Sequence, residues 1–178
     1  METFKGLWTS ENADGTFVTT ISNIPMNVLN SEQVLVQVFY SSLNYKDALS
    51  SSGHRGITRN FPHIPGIDAA GIVINDPTGK RRPGSKVIIT GFDLGMNSHG
   101  GLSEYVSVPS AWIIKLPAGL TLEKSMQIGT AGLLGPLQHF RVAQPEVGGR
   151  DHVQHLAHRE VHHRLVVRRH TTHAHHTA

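Results

Sequence analysis

Ser41-Ser-Leu-Asn-Tyr-Lys-Asp-Ala-Leu49 and, a short way on, Asn60-Phe-Pro-His-Ile-Pro-Gly-Ile-Asp-Ala-Ala-Gly71 are the stretches on which the reading of this chain turns. The first follows directly on Val34-Leu-Val-Gln-Val-Phe-Tyr40, a run of β-branched and aromatic residues introduced by the turn-formers Asn30 and Ser31. Such a run predicts a central strand. A phenol, an amine and short polar groups therefore stand at the end of a rigid element, where they can face a cleft. The second stretch encloses Asp68 between prolines and small residues. Taken alone, Asp68 reads equally well as a turn or ion-pair acid and as a site residue.

Outward from these segments, the chain is punctuated into short strands. Gly71-Ile-Val-Ile74 ends at Asn75-Asp-Pro77, Lys86-Val-Ile-Ile89 follows Pro83-Gly84, and Ser103-Glu-Tyr-Val-Ser-Val108 alternates up to Pro109. Glycine and proline mark the limits of each, and strands at this spacing predict a barrel or sandwich rather than repeated βαβ units. Two short helices are expected, one from Asn44 as N-cap and one from Thr121, whose fourth residue is Lys124 where a capping box would place Glu. Lys80, Arg81 and Arg82 sit among Pro77, Gly79, Pro83 and Gly84, which predicts a solvated turn.

Composition narrows the chemistry. The 178 residues contain no cysteine, so disulfides, thiolate zinc sites and a cysteine nucleophile are excluded. No run approaches the roughly 18 apolar residues of a membrane helix, and the first residues lack the pattern of a signal peptide. The expectation is a cytoplasmic protein that spans no membrane. Residues 1–132 carry ten Lys or Arg against ten Asp or Glu, a balance of zero, which speaks against a nucleic-acid partner. Residues 133–178 carry six Arg against three acids, hence the whole net charge of +3, and ten of the thirteen histidines. Beyond Gly132 there is no Lys, Ile, Met, Trp or Tyr. Two parts are therefore expected: a folded domain over 1–132 and a His/Arg-rich tail over 133–178 that does not build a core, as a shifted reading frame would produce. Within the tail, Val and Leu support a local helix around Glu160 to Arg169. A transient helix over the preceding stretch would bring His155, His158 and His162 near one face, where they would bind zinc or nickel only adventitiously.

The segments at 41–49 and 60–71, with Gly-Gly-Leu-Ser-Glu-Tyr at 100–105, Lys-Leu-Pro-Ala-Gly-Leu at 115–120 and Ile-Gly-Thr-Ala-Gly at 128–132, resemble medium-chain dehydrogenases/reductases. The similarity is greatest to the zinc-free, quinone oxidoreductase-like group that contains acrylyl-CoA reductase. The resemblance implies a mainly β fold, a GroES-like partly open β-barrel with short flanking helices. In that family a Rossmann domain that binds NADPH normally follows, in a homodimer. Nothing after Gly132 matches its glycine-rich turn, since Val147-Gly-Gly-Arg150 has neither the pattern nor a preceding strand. A truncated and by itself inactive oxidoreductase is expected. The alternative is a non-catalytic GroES-like binding or dimer-forming module.

The zinc-binding relatives carry Gly-His-Glu where this chain has Gly66, Ile67 and Asp68, and an isoleucine cannot ligate zinc. Metal-free hydride transfer to an enoyl thioester of the acryloyl-CoA type, or to a quinone, is what the resemblance implies. Tyr45 matches a tyrosine that contacts NADPH near the nicotinamide. Asn44 is read either as an orienting amide or as an N-cap, and Thr130 as a residue facing the cofactor cleft. Lys46 and Asp47 are expected to pair at the surface, or Asp47 to hold Tyr45. No residue is singled out as catalytic, and none as a metal ligand.

Overall fold

A computed structural model describes residues 2–130 and 132, together with the backbone of 166–168. The tail's histidines and Val147–Arg150 lie outside the described residues. Strands β1 (Thr3–Glu11) and β2 (Phe17–Pro25) form an antiparallel hairpin. Its turn is built on Gly15 at φ 81°, a left-handed conformation that glycine adopts without steric cost. After a 3-10 turn at Met26–Val28 come β3 (Val34–Ser42), helix α1 (Tyr45–Ser51), β4 (Asp68–Asn75), β5 (Lys86–Thr90), β6 (Tyr105–Val108) and β7 (Ile114–Lys115). Helix α2 covers residues 122–130, and β8 is Val166–Arg168.

The second sheet runs β6-β3-β4-β5-β7 with all neighbours antiparallel, and β8 lies against β3 beside Tyr40–Ser42. Bridges Gly6 to Ser103 and Thr9 to His63 tie the hairpin to the rest. The sheets are open, and among the described residues no pairing closes a barrel; the GroES-like architecture is present in its open form. The expected strands at 34–40, 71–74, 86–89 and 103–108 correspond to β3, β4, β5 and β6, with β4 starting earlier, at Asp68. The expected helix at 160–169 is not what the backbone shows where it is described: Val166–Arg168 is extended. Two consecutive β-branched residues, Val166 and Val167, favour strand over helix.

Alternation explains the packing. Val34, Val36 and Val38 of β3 point to one face with Ala69 and Val73 of β4, Val87 and Ile89 of β5 and Val106 and Val108 of β6, forming the main core. Each buried Val or Ile among them contributes about 1.5–3 kcal/mol. The opposite face of the sheet is covered by α2, whose Leu122, Ser125, Met126 and Gly129 recur at helical spacing and are buried. Leu122 and Met126 pack with Ala70. Thr121 Oγ1 accepts the Lys124 N–H at 3.1 Å, so the expected threonine cap is present. The basic cluster lies in a turn as expected, yet Arg81 is not wholly solvated: its guanidinium donates to the Ile113 carbonyl at 3.0 Å.

Candidate functional site

Four elements deliver polar side chains to the first residue of β4. Asp68 is fully buried and pairs with Thr90 across β4 and β5. The register of β3 shifts between Val38 and Tyr40, and beyond that irregularity Ser41 and Ser42 are both buried. Ser41 Oγ donates to the Asp68 carbonyl at 2.7 Å, and Ser42 Oγ to Asp68 Oδ2 at 2.5 Å. Asn44 Nδ2 reaches the same Oδ2 at 3.0 Å. From α2, the Thr130 N–H donates to Oδ2 at 3.1 Å and its hydroxyl to Oδ1 at 2.5 Å. Thr90 Oγ1 donates to Oδ1 at 2.5 Å and lies 2.7 Å from Thr130 Oγ1. A buried carboxylate is tolerable only when its lone pairs are so occupied. Asp68 is thus a strand residue whose side chain gathers β3, α1, β5 and α2, not a turn acid.

Gly66 shapes the approach to it. Its φ of 115° suits glycine, and a Cβ there would stand 2.5 Å from the Leu102 backbone nitrogen. The close passage of 66 against 101–102 lets Ile67 and Asp68 turn into the sheet.

Asn44 is the N-cap of α1, and its backbone N–H donates to Asp47 Oδ2 at 2.7 Å. The N-cap reading of Asn44 is what the geometry shows, and its side-chain amide is held on Asp68. The expected surface pair of Lys46 and Asp47 is absent. Asp47 is 2 % exposed, and its Oδ1 accepts the Ile67 N–H at 2.9 Å. An acid at the third position of a capped helix turns back toward the helix start and away from the exposed Lys46. Burial pushes the Asp47 carboxyl up to about 6, opposed by its hydrogen bonds to Asn44 and Ile67 and reinforced by the charge of Asp68.

Tyr45, the first residue of α1, is 57 % exposed, with Leu43 exposed beside it in the chain. It does not close the core; it presents a phenol to the outside. The structure thus brings Asn44 and Thr130 onto one carboxylate, and Tyr45 next to it in sequence. Ser42 and Thr90 were not singled out from the sequence. The available signal was their kind, short hydroxyl side chains at the ends of apolar strands. Among the described residues no group of three His, Asp or Glu is placed to hold a metal ion.

An open antiparallel sheet capped by a helix over a buried polar hub is the architecture the comparisons with known proteins identify. Residues 30–118 match the model of the alcohol dehydrogenase GroES-like domain, half of the chain, and the chain belongs to that family. YhfP of Bacillus subtilis, assigned as a quinone oxidoreductase, is 40 % identical over 149 residues, 82 % of this chain and 45 % of its own. Its crystal structure with NAD bound superposes with a TM-score of 0.75 at 38 % identity, covering 83 % of this chain and 45 % of that one. AcuI of Escherichia coli, assigned as an acrylyl-CoA reductase, is 42 % identical over 127 residues, 71 % of this chain and 39 % of its own. E. coli YhdH with bound NADPH matches with a TM-score of 0.71 at 39 % identity, covering 76 % of this chain and 42 % of that one. The chain therefore spans less than half the length of these relatives. Among the described residues no helix is long and apolar enough to cross a membrane.

Proposed function

We propose that residues 1–132 are the substrate- and nicotinamide-facing part of an NADPH-dependent reductase acting on an enoyl thioester or a quinone without a metal. The observation that carries this reading is the placing of Asn44 and Thr130 on the Asp68 carboxylate, with the exposed Tyr45 following Asn44 in the chain. A half-exposed phenol offers a flat apolar face and a polar tip, the combination that suits a nicotinamide ring and its carboxamide. The NADPH held by YhdH and the NAD held by YhfP favour a dinucleotide ligand. When bound, NADPH supplies the hydride. Tyr45 would pack against the ring, and Asn44 and Thr130 would fix the polar edge of the cleft, their donors oriented in advance by Asp68.

Two features support the metal-free reading. Ile67 has no donor atom, and both Asp68 oxygens already accept hydrogen bonds from Ser42, Asn44, Thr90 and Thr130. A cation would have to displace that set. The partner is a small molecule and not a nucleic acid, the compartment is the cytoplasm, and the assembly is a homodimer. Residues 133–178 are read as a tail that follows this domain, in which the described Val166–Arg168 pairs with β3.

An NMR titration of the full chain with NADPH tests the reading. Contacts at the nicotinamide end supply roughly 3–4 kcal/mol, a Kd in the millimolar range. Shifts should concentrate on Tyr45, Asn44 and Thr130, and those of Asn44 and Thr130 should weaken in Tyr45→Ala. Saturating NADPH that leaves those three signals unmoved would defeat the proposal.

A further inference from the structure

We propose that Asp47 is a positioning residue for the site on α1, holding the Asn44 amide, and with it the root of Tyr45, against Asp68. The inference rests on the functional reading above, which supplies the ligand that the positioned groups would meet. A helix cap needs one oxygen, and Asp47 Oδ2 provides it by accepting the Asn44 N–H at 2.7 Å. The other oxygen does something a cap does not require. Oδ1 accepts the Ile67 N–H at 2.9 Å, so α1 is tied to the residue that immediately precedes Asp68.

The same side chain competes for the Asn44 amide. Nδ2 lies 3.4 Å from Asp47 Oδ2, 3.0 Å from Asp68 Oδ2 and 3.2 Å from the Ser42 carbonyl. An amide nitrogen has two protons to distribute over these three acceptors. The orientation of the amide therefore follows from how strongly each carboxylate draws it. Tyr45 is the next residue along the chain, so rotation at Asn44 is felt where the exposed phenol is rooted. The charge that acts on Asp47 is that of Asp68 at the start of β4, while Lys46 on its own helix is exposed. Burial holds the Asp47 carboxyl at about 6, so its strength as an acceptor changes just below neutral pH.

The test uses the full chain and Asp47→Asn, followed by NMR of the Asn44 side-chain amide and the Tyr45 ring from about pH 5 to pH 7.5. In the wild-type chain both sets of signals should move with a midpoint near 6. Asp47→Asn retains a carbonyl oxygen for one of the two backbone N–H groups and so should fold, while its NH2 faces the other donor; it should lose the transition and displace the Asn44 amide. At pH near neutral, NADPH should then saturate the Tyr45 shift at about fivefold higher concentration, the worth of one hydrogen bond. A residue that only caps the helix would leave the Asn44 amide and the NADPH titration unmoved in a folded Asp47→Asn, and that result overturns the proposal. Should the variant fail to fold, the wild-type titration decides: an inflection of the Asn44 amide supports positioning, and a flat response refutes it. An Asn44 transition in a chain that shows no NADPH response would sustain Asp47's role while removing the cofactor reading.

Discussion

Buried Asp47 and half-buried His99 titrate in opposite senses across the same acid window, and each can be unmasked by removing the other. His99 stacks between His63, with ring centroids 5.6 Å apart, and Trp8, at 5.8 Å. Its Nδ1 accepts the Ile64 N–H at 3.3 Å, which requires a free lone pair there. Burial first, and the neighbouring His63 second, hold its pKa at about 4 against 6.5. The unfolded chain therefore takes the proton first: stability is whole above pH 6.5 and drains away as pH falls toward 4. The difference, 6.5 − 4, corresponds to at most about 3 kcal/mol, since the ring keeps some contact with solvent. Asp47 has the reverse sign. Its folded pKa is raised from 3.8 to about 6, so the fold takes the proton first and the cost of burying the carboxylate is relieved as pH falls from 6 to 3.8. That difference, 6 − 3.8, is again worth about 3 kcal/mol. Between pH 6 and 4 the two contributions oppose one another in the wild-type chain. Urea unfolding at several pH values should show Asp47→Asn losing about 3 kcal/mol relative to wild type on acidification over this range, and His99→Gln gaining a similar amount. Surface carboxylates such as Asp14 and Asp76 are common to all three chains and drop out of the difference curves. Variant and wild-type curves that run parallel from pH 7 to 4 would refute the burial argument for both groups.

Three further outcomes are expected. Asp68→Ala leaves the hydroxyls of Ser42, Thr90 and Thr130 without their acceptor and should cost about 3–5 kcal/mol, read as a fall in Tm; an unchanged Tm would mean that the hub does not hold the four elements together. Arg55→Ala removes both the Glu11 ion pair at 2.5 Å and the stacking over Phe17 and Phe61, at 5.5 and 5.3 Å, and should cost about 1 kcal/mol. Most of that loss should persist at high salt, because the stacking over the rings is screened less than the exposed pair. Limited proteolysis should trim the chain to a resistant fragment ending near Gly132, and protection extending to about residue 170 would contradict the proposed boundary.

What the sequence disclosed depended on whether the signal was local. β3, β4, β5 and β6 were legible because each is an apolar run bounded by Gly, Pro or Asn, and the first turn of α1 because Asn44 precedes it in the chain. The β1–β2 hairpin was passed over although Asp14-Gly15 marks its turn: Thr3–Glu11 mixes Phe4 and Trp8 with Lys5, Gly6 and Thr9, and only the docking of Phe4 with Ile24, Leu29 and Ile64 shows which residues face inward. Asn44, Tyr45 and Thr130 were found through motifs resembling a family, not through spacing. Asp68 was left open between a structural and a site role for a physical reason. Its donors stand 26, 24, 22 and 62 positions away, at Ser42, Asn44, Thr90 and Thr130, so nothing near it in the sequence records its satisfaction. Yet each donor shares a mark that sequence does carry: a short polar side chain where an apolar strand ends or where a helix turns among small residues. A buried carboxylate needs several such donors, and they must come from different elements because one strand can aim only alternate residues at it. The candidate site is therefore placed where strand ends, a helix start and the buried face of α2 meet, and the same convergence that stabilises Asp68 orients the groups that would face a ligand.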